Sequence, residues 1–219
     1  MTNDILYSFR RCPYAIRVRW ALLICEINLE IRENDLKNKP LDFLNKSKTK
    51  KVPILIKKNN EVIEESLEII LWALSDNKRK KFKVLYLPDN KKQDIFKIIN
   101  ENDNEFKYHL DRFKYASRYQ NSNEDFHFAN AIKFIKKWNK LLEENKYFFG
   151  AEPTIADWSI WPFVRQFKIA CESQKRKNYL EPSIKNWLDS FEKDRQFKFL
   201  MYKYELWEPN SRKSYFPSN

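Results

Sequence analysis

The stretch Phe9–Ala15, FRRCPYA, decides the fold because it joins a strand-like run to a helical pattern. Residues 5–9, ILYSF, form the apolar, aromatic run that is typical of a buried strand. Pro13 suits the first turn of a helix, where its missing N–H costs nothing. The pattern therefore places the Cys12 thiol between the end of a strand and the start of a helix.

The position of Cys12 predicts a reactive thiol. Unpaired N–H groups and the helix dipole favour negative charge at a helix start, so Cys12 should ionise more easily than a free cysteine. Arg10, Arg11 and Arg17 add positive charge nearby. No second cysteine follows two residues later, so a mixed disulfide on Cys12 needs an external thiol to resolve it. The alternative is an inert cysteine at a helix start.

Strand and helix patterns alternate over residues 1–76 in the order βαβα and then ββα. A βαβ unit followed by a hairpin and a helix is the thioredoxin-like plan, with a mixed sheet. Charged and turn-forming residues at 77–90 indicate a linker. Residues 91–219 carry helical periodicity throughout and predict an all-helical C-terminal domain. The predicted fold is thus a thioredoxin-like α/β domain followed by a helical bundle.

The composition excludes several classes of protein. The chain has 219 residues, of which 42% are hydrophobic, as in a globular protein. Its single glycine, Gly150, excludes glycine-rich phosphate loops and the GxSxG nucleophile elbow. The two histidines, His109 and His127, are too few for a three-histidine zinc site, so no metal is expected, and both are interpreted as surface or cap residues.

Charge and cysteine usage suggest a compartment and limit the partners. The net charge is +12, mostly beyond residue 76. Dispersed lysines favour a solvated surface over a nucleic-acid site. An odd number of cysteines without a signal peptide predicts reduced thiols in the cytoplasm, with Cys25 and Cys171 buried. No apolar run is long enough to predict a membrane span.

Of three further motifs, two carry two interpretations each. Pro53 could be cis, although an ordinary trans proline is the default. Ser66 begins a helix whose free N–H groups could hold a carboxylate while Glu65 holds an ammonium, or it is a plain helix cap. Residues 154–157, TIAD, form a capping box that we interpret as structural.

Taken together, these motifs resemble the cytosolic glutathione transferase superfamily over nearly the whole chain. The cysteine-type classes, and among them the omega class, are the most similar. Besides Phe9–Ala15, the resemblance rests on four stretches: LKNKP at 36–40, Val52-Pro53, Glu65-Ser66, and residues 148–162 from FFG through TIAD to IWP. The loop before Pro53, residues 47–51, lacks the proline and glycine that the family usually has.

The resemblance implies a role for each matching residue. Cys12 would form a mixed disulfide with glutathione, and Lys39 would hold the glycyl carboxylate. The backbone of Val52, set by a cis Pro53, would pair with the cysteinyl unit. Glu65 and Ser66 would hold the γ-glutamyl group. Weaker candidates for a second-substrate pocket are Tyr14, Tyr108, Tyr115, Trp161 and Arg165.

The resemblance also implies an activity and partners. Omega-like enzymes favour glutathione-dependent thiol transfer, deglutathionylation and dehydroascorbate reduction over conjugation to electrophiles. Glutathione would be the co-substrate, beside a small electrophile or disulfide substrate, and the protein would be a homodimer. The alternative is a non-catalytic protein of the same fold that binds a protein or nucleic-acid partner in a stress response.

Overall fold

A computed structural model describes residues 3–75, 85–120 and 123–218 of the chain. The chain divides into two compact units. The N-terminal unit contains Met1–Phe82 together with Arg195–Asn219, and the helical unit contains Lys83–Asp194. Of the predicted linker at 77–90, residues 77–84 lie outside the described residues. Tyr86 packs on Trp158, with ring centroids 4.4 Å apart, so the end of the predicted linker belongs to the helical unit.

The N-terminal unit has the predicted thioredoxin-like order. Its first seven elements are β1 (Ile5–Ser8), α1 (Pro13–Ile24), β2 (Leu29–Glu33), α2 (Leu41–Lys46), β3 (Ile54–Ile56), β4 (Val62–Ile63) and α3 (Ser66–Ser75). Among the described residues, five strands form one mixed sheet in the order β4-β3-β1-β2-β5. The central strand β1 is buried along its whole length, as its apolar sequence predicts, and it runs parallel to β2 and antiparallel to β3.

The fifth strand comes from the far end of the sequence. After the short helix α9 (Phe197–Leu200), β5 (Ser214–Phe216) pairs antiparallel with β2, opposite Leu29–Ile31. The backbone N–H of Trp207 donates to the backbone carbonyl of Glu33 at 2.8 Å, and the Arg32 guanidinium lies 4.2 Å from the Trp207 ring centroid. The prediction that residues 91–219 are helical throughout is wrong for Ser214–Phe216. These residues form a strand because they pair with the edge of β2, and that edge exists only once the sheet has folded.

The helical unit follows the predicted periodicity. Its helices are α4 (Lys92–Glu101), α5 (Lys107–Lys114), α6 (Glu124–Glu144), α7 (Ile155–Ser173) and α8 (Pro182–Glu192). A π-helical turn, Asn102–Phe106, joins α4 to α5 without a break. Helix α7 is buried over most of its length and supplies two of the largest fully buried side chains of this unit, Trp158 and Trp161. In the described part of the chain, no helix combines the length and apolarity that crossing a membrane requires.

The capping box at the start of α7 is structural, as predicted. The Thr154 hydroxyl accepts a hydrogen bond from the backbone of Ala156, and the Asp157 carboxylate accepts one from the Thr154 N–H at 2.8 Å. Asp157 also accepts hydrogen bonds from the Phe148 N–H and from the Trp187 indole. The buried carboxylate thereby joins the preceding loop, α7 and α8.

Scarcity of glycine shapes several turns. Among the residues that the structure describes, six non-glycine residues have positive φ, and two of them, Glu26 and Lys175, lie just after the ends of helices. After α1, the Ile27 N–H donates to the Leu22 carbonyl and the Glu26 N–H to the Leu23 carbonyl, the Schellman pattern that usually has glycine at this position. A side chain in the left-handed region costs about 1–2 kcal/mol.

Glu26 therefore offers a route to a more stable protein. We expect Glu26→Gly to raise the free energy of unfolding by about 1 kcal/mol, because it removes the Cβ clash at φ 56°. The control is Glu26→Ala, which keeps the Cβ and should give no gain. Urea denaturation measures both, and an equal effect of the two variants would contradict the strain argument.

The contribution of β5 to stability is testable at two neighbouring residues. Phe216 is fully buried, whereas Tyr215 is 40% exposed. We expect Phe216→Ala to lower the free energy of unfolding by about 3–5 kcal/mol through loss of a buried ring. Tyr215→Ala should cost about 0.5 kcal/mol. Similar losses for both variants in thermal denaturation would show that β5 is not anchored through Phe216.

Candidate active site

Cys12 lies where the sequence predicts, at the N-cap of α1 with Pro13 in the first turn. Its backbone N–H donates to the Phe9 carbonyl at 3.0 Å and closes a turn between β1 and α1. Its thiol lies 3.8 Å from the Val52 carbonyl oxygen, in hydrogen-bonding geometry. The side chain is half-buried, so the sulfur is held at the helix start with part of its surface open.

Cys12 is the accessible thiol of the protein. All three cysteines lie in the described ranges and none is in a disulfide. Cys25 and Cys171 are fully buried, as predicted. Burial raises the pKa of the Cys171 thiol to about 12, so this sulfur is neutral at physiological pH.

The segment beside Cys12 contains the cis peptide bond that the resemblance implies. Val52-Pro53 is cis, which confirms that expectation. The ladder between β1 and β3 begins with the pair Tyr7 and Ile54. The backbone of Val52 thus lies just beyond the sheet, next to the Cys12 sulfur.

The unusual loop before Pro53 is held by polar side chains. The Glu64 carboxylate accepts hydrogen bonds from the N–H groups of Lys48 and Thr49, at 2.6 and 3.2 Å. Lys50 has a φ of 54°, and its carbonyl accepts a hydrogen bond from the Lys39 ammonium at 3.0 Å. The Glu64 carboxylate thus fixes a loop that lacks glycine, and the Lys50 carbonyl of the same loop binds the Lys39 ammonium.

Glu65 and Ser66 lie at the start of α3. Ser66 is buried, and its hydroxyl accepts hydrogen bonds from Arg17 Nη2 at 2.8 Å and Arg17 Nε at 3.1 Å. Glu65 is exposed. The sequence interpretation grouped Arg17 with the charges around Cys12, but the structure directs its guanidinium to Ser66, with Tyr14 stacked against it at 4.9 Å. The first turn of α3, whose first N–H groups have no acceptor within a helix, thus lies next to a buried cation.

The five weaker candidates have different environments. Tyr14 lies in the N-terminal unit, and the other four lie in the helical unit. Tyr108 is 47% exposed, and the Arg112 guanidinium lies 3.6 Å from its ring centroid. Arg118 stacks on Tyr115 at 4.3 Å.

Two of these candidates are held by other side chains of the helical unit. Trp161 is fully buried and stacks on Phe191, with ring centroids 5.4 Å apart, so it is a core residue. The prediction that Trp161 contacts a second substrate is thereby corrected. Trp161 and Pro162 lie in α7, a helix that is buried on most sides, so the indole packs inside the unit. Arg165 forms an ion pair with Glu192 at 3.0 Å.

One of the two histidines, His127, differs from its interpretation as a surface or cap residue. His127 is buried, and its Nδ1 lies 3.0 Å from the Nδ1 of His109. Helices α5 and α6 pack together and bring the two rings into one aromatic cluster with Tyr108 and Phe126. Within residues 3–75, 85–120 and 123–218, no group of three or more His, Cys, Asp or Glu side chains is arranged to hold a metal ion.

Comparison with known proteins places this geometry in a family. Two sequence models match the chain, one described as "Glutathione S-transferase, N-terminal domain" over residues 6–81 and one as "Glutathione S-transferase, C-terminal domain" over residues 100–190. The chain is 26% identical to mouse (Mus musculus) glutathione S-transferase omega-1 over 196 residues, which are 86% of this chain and 76% of that protein.

Solved structures share the fold. Glutathione transferase Omega 3C from Trametes versicolor has a TM-score of 0.76 at 17% identity, over 94% of this chain and 92% of that one. A glutathione transferase family member from Pseudomonas fluorescens, solved with two glutathione molecules bound, has a TM-score of 0.75 at 16% identity, over 91% and 92% of the two chains. Because models of both domains match in order, beside a cysteine at a helix start and a cis proline, the chain belongs to the glutathione S-transferase superfamily.

Proposed function

We propose that the protein is a glutathione-dependent thiol transferase of the omega type, in which Cys12 is the nucleophile. The observation that carries the proposal is the accessible Cys12 sulfur at the N-terminus of α1, 3.8 Å from the Val52 carbonyl. A serine or tyrosine hydroxyl at this point could only stabilise a bound thiolate, whereas a cysteine can form a disulfide with it. Thiol transfer and deglutathionylation, or reduction of a dehydroascorbate-like substrate, therefore suit this site better than conjugation.

The surroundings of Cys12 suit the parts of a glutathione molecule. The backbone of Val52, beyond the end of the β1–β3 ladder, can pair with the cysteinyl unit as an added strand. The free N–H groups at the start of α3, with Ser66 and the buried Arg17 charge, suit the γ-glutamyl carboxylate. Exposed Glu65 suits the ammonium group, and Lys39 suits the glycyl carboxylate. These assignments are proposals for each residue.

The proposed reaction has two balanced steps. In the first, the Cys12 thiolate attacks the glutathione sulfur of a mixed disulfide; the new S–S bond joins Cys12 to the glutathionyl group, and the substrate leaves as a thiolate that takes a proton from water. In the second, the thiolate of another glutathione attacks the glutathionyl sulfur on Cys12. Oxidised glutathione leaves and the Cys12 thiolate is restored. No second protein cysteine is needed.

The first test is formation of the Cys12 adduct. We expect incubation with oxidised glutathione to add one glutathionyl group to the peptide containing Cys12, detected by mass spectrometry. Cys12→Ala should lose the adduct and the transfer of thiol from a glutathionylated peptide, while still binding glutathione. The control Cys25→Ala removes a buried thiol and should keep both the adduct on Cys12 and the thiol transfer. Transfer retained by Cys12→Ala would remove the mechanism.

The second test concerns the γ-glutamyl group. We expect Glu65→Gln to weaken glutathione binding about tenfold or more, because a hydrogen bond to a charged group is worth about 1.5–3 kcal/mol. Glu68, an exposed acid in the first turn of the same helix, provides the matched control. Isothermal titration calorimetry measures both variants. Equal affinities for Glu65→Gln and Glu68→Gln would exclude the assigned role of Glu65.

The homodimer that the resemblance implies and the cytoplasmic location that the cysteine usage predicts stay predictions. A homodimer would be seen as a doubled mass in light scattering of the purified protein. A glutathione-affinity column separates the enzyme from the non-catalytic alternative, because a scaffold that binds an acidic partner has no need to bind glutathione.

A further inference from the structure

We propose that Arg19 and Glu33, a charge pair of two buried and opposite groups that both bind Arg10 and do not contact each other, set the ionisation of Cys12, Arg19 favouring the thiolate and Glu33 opposing it. The inference rests on the proposed role of Cys12 as the nucleophile. Both residues are positioning residues, because they act on the sulfur through the turn that carries it and through their electric field.

The geometry shows how the pair holds the turn before Cys12. Arg10 is the second residue of this turn, which the Cys12 N–H closes by donating to the Phe9 carbonyl. The Arg10 N–H donates to Glu33 Oε1 at 2.5 Å. The Arg10 carbonyl accepts a hydrogen bond from Arg19 Nη2 at 2.7 Å. The two charged side chains therefore hold the same residue by its donor and by its acceptor.

Both groups are buried. Arg19 is fully buried and Glu33 is 5% exposed. Among the described residues, Arg19 forms no ion pair, and its Nε and Nη1 have no hydrogen-bond partner; the same is true of Glu33 Oε2. A charge that is neither solvated nor in direct contact with its counter-charge is weakly screened. Its field therefore extends to neighbouring groups, and Cys12 is one of them.

The titration of the two groups fits this arrangement. Burial lowers the pKa of Arg19 to about 10, which leaves it charged at neutral pH, while its interactions with Glu33 and Cys12 oppose that lowering. The interaction is reciprocal, so a charged Arg19 favours the Cys12 thiolate. Burial raises the pKa of the Glu33 carboxyl, against the Arg10 N–H and the charges of Arg19 and Arg10.

Other cations near the turn have different environments. Arg11 is exposed and stacks over Phe9, with its guanidinium 5.6 Å from the ring centroid. Arg17 is hydrogen-bonded to Ser66. Solvent screens Arg11 and the half-exposed Arg10, and Arg17 is directed to α3, so Arg19 is the buried cation that is hydrogen-bonded to the turn itself.

Opposite shifts in two variants test the proposal. We expect Arg19→Met to raise the pKa of Cys12 by about one unit, so that alkylation by iodoacetamide at a pH below the thiol pKa slows about tenfold. Glu33→Gln, which can still accept from the Arg10 N–H, should lower that pKa and speed alkylation at acid pH. The rate is followed against pH by mass spectrometry of the Cys12 peptide. Arg11→Met is the exposed control and should change the rate less than twofold.

A role in holding the turn alone would give a different result. Both variants would then shift the pKa of Cys12 in the same direction, or neither would shift it, and either outcome overturns the proposal. If circular dichroism shows that Arg19→Met does not fold, Arg19→Lys replaces it. This variant keeps the charge and should retain the wild-type pKa of Cys12. The direction of the Cys12 pKa shift in Glu33→Gln then decides, and a pKa that is not lowered overturns the proposal.

This experiment is independent of glutathione. Opposite shifts without a glutathionyl adduct on Cys12 would support the charge pair and reject the proposed function. A glutathionyl adduct on Cys12 without opposite pKa shifts would support the proposed function and reject the charge pair.

Discussion

Two guanidinium groups buried in α1 constrain the region of the candidate active site. Burial of a charge is costly unless hydrogen bonds compensate for it, so each arginine must find an acceptor. Arg17 finds the Ser66 hydroxyl on α3, and Arg19 finds the Arg10 carbonyl in the turn before the helix. Because these acceptors lie outside α1, one hydrogen bond fixes the helix to α3 and the other fixes it to the turn that precedes it. Cys12 lies at the end of the helix that is fixed in this way.

The features that sequence predicts here are local. The Cys-Pro pair at a helix start, the buried run of β1 and the capping box at Thr154 each depend on residues fewer than ten positions apart. Their physical causes act within one turn or one strand, so the pattern of neighbouring residues is sufficient. The order of elements in the N-terminal unit follows from the same signals. The cis bond at Pro53 could be expected only from the family resemblance.

The features that sequence does not predict depend on distant contacts. Arg17 and Ser66 are 49 positions apart, and Lys48 is 16 positions from the Glu64 that holds it. The periodicity of α1 does carry one unused signal, since Arg17 and Arg19 interrupt a helix that is otherwise apolar. Trp161 illustrates the opposite error. A large aromatic residue near a conspicuous motif suggests substrate contact, but burial decides its role, and burial depends on the packing of whole helices.

The pairing of β5 with β2 has a consequence for the order of events during synthesis. Strands β1 to β4 leave the ribosome first, but the strand that completes their sheet follows the entire helical unit. Until then the outer edge of β2 has unpaired N–H and C=O groups, which can pair with strands of other chains. Chaperone protection of the nascent chain would matter most in this interval, between translation of Ser75 and translation of Ser214.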